Sequence, residues 1–172
     1  PNCVTYDPTF AHEVAVIMQD GLRRMVQNQE NIFYYLTLLN ENYPMPGLTP
    51  GTEEKILKGM YLSKSGGAGD LRVQLLGSGT ILRESFFAQE LLEKDWGIAA
   101  DVWSCPSFNE LTRDGQDAQR WNMLHPLEAA KLPFVTQELN NSTGPIVAST
   151  DYMKAYAEQI RPFIPAGRAY KV

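Results

Sequence analysis

The sequence feature that most constrains the fold is an alternation of short strand-like segments with amphipathic stretches of helical period. Residues 71–76 read as a strand, and a tight turn of sequence Gly-Ser-Gly-Thr follows at 77–80. Residues 81–95 carry an apolar stripe of helical period, and residues 100–104 read as the next strand. This alternation predicts the α/β class, with a mostly parallel sheet and helices on both of its faces.

The first part of the chain repeats this pattern in a shorter form. Residues 3–6 read as a strand, and Asp7-Pro8 is typical of a helix start because a carboxylate takes the cap and proline the first helical position. Residues 8–27 carry one apolar stripe, and residues 32–39 form an apolar and aromatic run typical of a strand covered on both faces. The sequence therefore predicts a partial βαβ unit with a right-handed crossover.

A change of composition separates these two parts. Proline and glycine interrupt regular structure between residues 40 and 69, where only a short helix is expected, at 53–61. We therefore divide the chain into a first domain at 1–46, a linker at 47–70 and a second domain at 71–172.

The last third of the chain has a weaker pattern. Residues 106–126 read as an irregular polar passage with a turn at 114–117, and Asp151 is expected to cap a helix that Pro162 stops. Strands are predicted at 134–139, at 146–149 and at 170–172, where the chain stops within the strand. Because the chain also opens at Pro1 without an initiator methionine, we expect a fragment of a longer protein.

Charge and composition exclude several classes of partner. Fifteen Lys and Arg oppose 20 Asp and Glu, which gives a formal net charge of -5 without a basic cluster. Nucleic acid and anionic membrane are therefore not expected as partners. The longest apolar run is too short to span a bilayer, and the two cysteines fit a reducing compartment, so we expect a cytoplasmic protein.

Few residues suggest chemistry by their type and spacing. The glycine turn at 77–80 precedes a helix, where backbone amides can bind an anion, but a turn that lets strand and helix approach closely explains it better. His12 and His125 lack partners at metal-ligand spacing. Cys105 is better explained as a buried apolar residue than as a nucleophile. The sequence therefore supports no zinc site and no catalytic cysteine.

The polar segment around Trp121 has two open explanations. It carries charges of both signs beside a tryptophan, a combination that is costly to bury and unusual to expose. Such a segment contacts another subunit or forms an ordered loop whose charges pair with each other. We take its polar and aromatic side chains as candidate subunit-interface residues: Asp114, Gln116, Arg120 and Trp121.

Several stretches together resemble the homodimeric pyruvate dehydrogenases of bacteria. The most specific is the run Arg120-Trp121-Asn122-Met123-Leu124-His125-Pro126. The stretches keep the order and approximate spacing of that family over essentially the whole chain: 2–8, 40–46, 73–79, 114–126 and 148–154.

The resemblance implies a transketolase-like architecture. Residues 1–46 match the end of the pyrimidine-binding domain, and residues 71–172 match a C-terminal domain truncated at its end. In this family thiamine diphosphate and Mg²⁺ bind between two subunits of a homodimer. By this resemblance, the Gly-Asp-Gly segment, the activating glutamate and the active-site histidines would all lie upstream of Pro1. The resemblance therefore assigns no catalytic, cofactor-binding or metal-binding residue to this chain.

The resemblance also implies a reaction and its partners. The complete protein would decarboxylate pyruvate and pass the acetyl unit to lipoyl groups of the dihydrolipoyl acetyltransferase core, while this chain alone would be inactive. Two alternatives remain open from the residues. One is another thiamine-dependent transketolase or 2-oxo-acid dehydrogenase. The other is a non-catalytic assembly module that kept the scaffold.

Overall fold

The computed structural model describes residues 2–172, and their strands form one sheet of two strands and one of five. The first residue of the predicted 1–46 domain lies outside this range. The strands are β1 (Cys3–Tyr6), β2 (Phe33–Leu36), β3 (Tyr61–Lys64), β4 (Arg72–Gly77), β5 (Ala99–Ser104), β6 (Ile146–Ser149) and β7 (Tyr170–Lys171). The helices are α1 (Ala11–Leu22), α2 (Glu53–Lys58), α3 (Ile81–Trp96), α4 (Phe108–Leu124), α5 (Phe134–Asn140) and α6 (Lys154–Glu158). The predicted α/β class is confirmed.

The five-stranded sheet has the order β3-β5-β4-β6-β7 and is parallel apart from β3. Every residue of β5 and nearly every residue of β4 is buried, as expected for central strands covered on both faces. Val73 and Leu75 pack with Leu82 of α3 on one face, whereas Leu76 packs with Phe108 of α4 on the other. The prediction of helices on both faces is therefore confirmed.

Strand β3 lies inside the segment predicted as a linker. It pairs antiparallel with β5, so that Tyr61 stands opposite Ser104 and Leu62 opposite Trp103. The buried Tyr61 and Met60 anchor this edge strand in the core. Residues 61–64 are thus part of the sheet. The sequence missed them because four residues with one exposed apolar side chain show too little periodicity.

The two-stranded sheet belongs to the predicted βαβ unit. Strands β1 and β2 are parallel, with Val4 opposite Tyr34, and α1 connects them. Val4 and Ile17 are buried on one side of this sheet, whereas Phe33 is 51% and Tyr35 59% exposed on the other. Within the described residues, the prediction that β2 is covered on both faces is therefore wrong.

Three helix ends differ from the predictions. Helix α1 has its N-cap at Phe10, so Asp7 and Pro8 precede the helix, and a π-helical turn (Arg23–Gln27) follows its end. Helix α6 has its N-cap at Met153 rather than at Asp151. Pro162 does not stop this helix directly, because it lies in a separate 3-10 turn (Arg161–Phe163).

Two segments adopt a different structure from the predicted one. Most of the passage at 106–126, which was predicted to be irregular, is the long helix α4, and the turn predicted at 114–117 lies inside this helix. The segment predicted as a strand at 134–139 is helix α5. In α4 the buried positions are Phe108, Leu111, Gly115 and Ala118, a stripe too narrow and too small to be recognised as helical.

None of the described helices combines the length and the apolar character that crossing a membrane requires.

Candidate functional site

The glycine turn before α3 receives a segment of the same chain. The Ser78 hydroxyl donates to Asp7 Oδ2 at 2.8 Å, and the Gly79 amide donates to the Asp7 carbonyl at 3.0 Å. In return, the Thr9 hydroxyl donates to the Gly79 carbonyl at 2.6 Å. The turn that sequence analysis considered for anion binding is therefore filled by a carboxylate of the protein itself.

Glycine is required at position 79 for two reasons. Its φ of +53° lies in the left-handed region, which side chains rarely adopt. A Cβ there would lie 2.8 Å from Oδ2 of Asp7. Asp7 is only 7% exposed, and this burial raises the pKa of its carboxyl above the usual value, although hydrogen bonds from Thr37 and Ser78 oppose the change. The role of Asp7 is thus to join β1 to the second sheet, and the expected cap role is wrong.

A second buried carboxylate, Glu13, joins α1 to the same sheet. Its Oε1 accepts from the hydroxyl of Tyr61 at 2.7 Å and from that of Ser104 at 2.5 Å. Its Oε2 accepts from the amides of Thr9 at 2.5 Å and Phe10 at 3.0 Å, in the manner of an acid that caps the first turn of its own helix. Both oxygens are therefore saturated with donors, which offsets the cost of burying a carboxylate with no exposure to solvent.

Helix α4 covers the outer edge of β1. The Ser107 hydroxyl donates to the Thr5 carbonyl at 2.6 Å, and the Arg113 guanidinium donates to the Cys3 carbonyl at 3.1 Å. Asn109 also donates to the Thr5 hydroxyl. Ser107 and Arg113 thus satisfy strand carbonyls at the edge of the sheet.

A small cavity opens where β1 and β2 end. Its volume is about 200 Å³, and four of the eight residues that line it are tyrosines. The residues that line it come from the ends of both strands, from α4 and from the segment around α6: Thr5, Tyr6, Asp7, Tyr35, Thr37, Asn109, Tyr152 and Tyr156. The ends of parallel strands are the usual position of ligand sites in α/β sheets.

The candidate interface residues on α4 have different environments. Asp114 Oδ2 accepts from the Phe134 amide at 2.5 Å and thereby caps α5. Trp121 stacks on His125 with ring centroids 3.6 Å apart, and the Lys131 ammonium lies 3.5 Å from the Trp121 ring centroid. Gln116 and Arg120 are exposed. The structure thus places only Gln116 and Arg120 freely on the surface, because Asp114 and Trp121 hold the 125–134 segment against α4.

The cysteines and histidines do not form a catalytic group. Cys105 is completely buried, which raises the pKa of its thiol, and Cys3 is a free, half-buried cysteine at the start of β1. His12 Nδ1 lies 3.0 Å from the Pro46 carbonyl, and its Nε2 lies 3.1 Å from the Tyr61 hydroxyl. Cys105 therefore lacks the exposure and low pKa of a nucleophile.

The described residues do not fit thiamine diphosphate with its metal. In residues 2–172 there is no cluster of three or more His, Cys, Asp or Glu side chains that could hold a metal ion. The one glycine turn suited to a diphosphate already contains the Asp7 carboxylate, which would repel a second anion. No step of cofactor chemistry is therefore assigned to these residues.

Comparison with protein families identifies the chain. Residues 59–171 match the family described as the transketolase-like C-terminal domain. The chain belongs to this family. Residues 1–46 match the pyruvate dehydrogenase E1 component middle domain, with the same end as the predicted first domain.

Individual relatives match nearly the whole chain. The chain is 55% identical to the pyruvate dehydrogenase E1 component of Cupriavidus necator over 96% of its own length, which is 19% of that relative. It is 56% identical to the E1 component of Pseudomonas aeruginosa over 100% of its length, which is 20% of that relative. The resemblance to bacterial pyruvate dehydrogenases is therefore confirmed, and the chain spans about a fifth of the length of these relatives.

Solved structures show the same fold at low sequence identity. A transketolase of Pichia stipitis matches 100% of this chain with 20% of its own, at a TM-score of 0.56 and 17% identity. The transketolase of Campylobacter jejuni matches 100% of this chain with 22% of its own, at a TM-score of 0.54 and 18% identity. The predicted transketolase-like fold is confirmed.

The roles of the two buried carboxylates in joining the βαβ unit to the five-stranded sheet were not predicted from the sequence. Asp7 was explained as a helix cap, and Glu13 received no role, although an acid inside an apolar helical stripe was a usable signal. Their roles depend on Ser78, Ser104 and Tyr61, which lie far away in the sequence.

Proposed function

We propose that this chain is the scaffold and subunit-contact region of a pyruvate dehydrogenase E1 component. The observation that carries the proposal is identity of 55–56% to several E1 components along 96–100% of the chain. The complete protein would decarboxylate pyruvate oxidatively and transfer the acetyl unit to lipoyl groups of a dihydrolipoyl acetyltransferase core. It would use thiamine diphosphate and Mg²⁺, bound by residues outside this chain.

The proposed role of these residues is positional. The buried Asp7 and Glu13 fix the βαβ unit against the five-stranded sheet, so each part holds the other in one orientation. We also propose the division into a first domain at 1–46, a linker at 47–70 and a second domain at 71–172. Matches at 1–46 and 59–171 support its outline, although β3 extends the second domain into the linker.

We also propose that the complete protein is a homodimer in the cytoplasm. The exposed Gln116 and Arg120 on α4 are its candidate contact residues. Asp114 and Trp121 contribute indirectly, because they bind Phe134 and His125 and so hold the 125–134 segment against α4. This chain alone would be inactive.

Steady-state assays of the complete protein test this function. We expect release of carbon dioxide from pyruvate only when thiamine diphosphate and Mg²⁺ are both present. A preference for a sugar phosphate as the substrate would favour a transketolase. Turnover of pyruvate without either cofactor would contradict the proposal.

A further inference from the structure

The tyrosine-lined cavity at the ends of β1 and β2 has one buried charge in its wall. Asp7 lines the cavity and is 7% exposed. Its two carboxylate oxygens accept from the neutral hydroxyls of Thr37 at 2.7 Å and Ser78 at 2.8 Å. A carboxylate offers about four acceptor positions, so this one keeps capacity for a further donor.

Asp7 has no positive counterpart in the described part of the chain. Within residues 2–172 no Lys, Arg or His side chain lowers its pKa, and the nearby Asp151 raises it. No basic residue lines the cavity. A buried carboxylate without a charged partner gains stability from a nearby positive charge, so a cationic ligand would complement Asp7.

The remaining wall suits the same kind of ligand. Four of the lining residues are tyrosines: Tyr6, Tyr35, Tyr152 and Tyr156. The ring centroids of Tyr152 and Tyr156 lie 4.8 Å apart, and the two ring planes are tilted by 57°. The faces of tyrosine rings attract ammonium groups, and their carbon atoms also pack against an apolar body.

We propose that this cavity binds a small organic cation with one primary ammonium group and an apolar body. The ammonium group would donate to Asp7 while the apolar body packs against the tyrosine rings. The volume of about 200 Å³ limits the ligand to a short alkyl or arylalkyl amine. Anions are disfavoured because the carboxylate of Asp7 lies in the wall and would repel them.

Calorimetric titration of the full chain with phenethylammonium chloride tests this proposal. We expect saturable binding at one site, and at least about tenfold weaker binding of 2-phenylethanol, which keeps the ring and lacks the charge. Asp7→Asn should weaken phenethylammonium binding about tenfold. The control Asp95→Asn, an exposed acid at the end of α3, should leave the affinity unchanged.

A second variant covers the case in which Asp7→Asn does not fold. Tyr35 is 59% exposed, so Tyr35→Leu removes an aromatic wall without disturbing the core. This change should weaken binding about threefold. No saturable binding, equal binding of the alcohol, or an affinity that neither variant changes would each overturn the proposal.

Discussion

The Tyr61 hydroxyl donates a 2.7 Å hydrogen bond to the buried carboxylate of Glu13, across 48 residues of sequence. Tyr61 belongs to the edge strand β3 and Glu13 to α1, so this bond connects the βαβ unit to the five-stranded sheet. Ser104, which stands opposite Tyr61 in β5, donates to the same carboxylate oxygen. The position of α1 therefore depends on one acid that only a correctly formed second sheet can satisfy.

Glu13→Gln should lower the free energy of unfolding by about 2–4 kcal/mol. All four groups that contact the carboxylate are hydrogen-bond donors, two to each oxygen. In glutamine an NH₂ group replaces one oxygen, so the two donors on that side would lose their acceptor. Urea unfolding measures the loss. Glu90→Gln, at an exposed position of α3, is the matched control and should change stability by less than about 0.5 kcal/mol. Equal effects of the two substitutions would refute the role of Glu13.

Gly79→Ala should destabilise the protein more than Gly97→Ala does. Both glycines flank α3 with positive φ, so both substitutions carry the same kind of backbone strain, of about 1 kcal/mol. Only at Gly79 would the new Cβ also meet Asp7, whereas nothing lies within 4 Å of one at Gly97. We expect an additional loss of about 1–2 kcal/mol at Gly79, measured by thermal or urea unfolding. Equal losses at the two positions would show that Asp7 does not occupy the turn.

Stability should depend on pH through Asp7. Burial raises the pKa of this carboxyl in the folded protein above the ordinary value of 3.8, so the folded state holds its proton to higher pH than the unfolded state does. As pH rises above 3.8, the unfolded state therefore loses this proton before the folded state does, and the folded protein loses stability. The loss ends once the pH has passed the pKa of Asp7 in the folded protein. Asp7→Asn cannot titrate, so the stability of this variant relative to the native protein should increase with pH over that window. Parallel stability curves for the two proteins would contradict the shift.

Much of the fold follows from the sequence where periodicity is strong. Helix α3 and strands β4, β5 and β6 were predicted nearly to their ends, because apolar side chains repeat along them and glycines mark the turns. The glycine turn at 77–80 was also placed correctly, and Thr80 is the N-cap of α3.

The errors have a common physical origin in tertiary contacts. Helix α4 buries Gly115 directly against the ring of Phe163, so the glycine that suggested a turn is in fact a site of close packing. Helix α5 contains Phe134 and Val135, which favour strands, yet the carboxylate of Asp114 caps its first turn. Neither contact can be inferred from nearby sequence. The hydrogen bonds of Asp7 to Ser78 and of Glu13 to Tyr61 also join residues far apart in the sequence, so they cannot be inferred from it either.

Arg120→Glu in the complete protein should raise the dimer dissociation constant by about tenfold if α4 faces the second subunit. Arg120 is exposed, so reversing its charge leaves the packing of α4 intact. Trp121→Ala is less informative, because Trp121 also holds His125 and Lys131. Sedimentation over a range of concentrations measures the constant. Lys94→Glu on the exposed side of α3 serves as the control, and an identical constant for both variants would exclude this surface.

The central claim is that these residues support the proposed dehydrogenase without taking part in its chemistry. Paired measurement of the midpoint of thermal unfolding and of kcat for pyruvate, with Glu13→Gln in the complete protein, tests it most directly. The claim predicts a midpoint lowered by several degrees, with kcat per folded protein within about twofold of the native value, since a twofold change is less than 0.5 kcal/mol of barrier. A kcat reduced a hundredfold or more with an unchanged midpoint would contradict it.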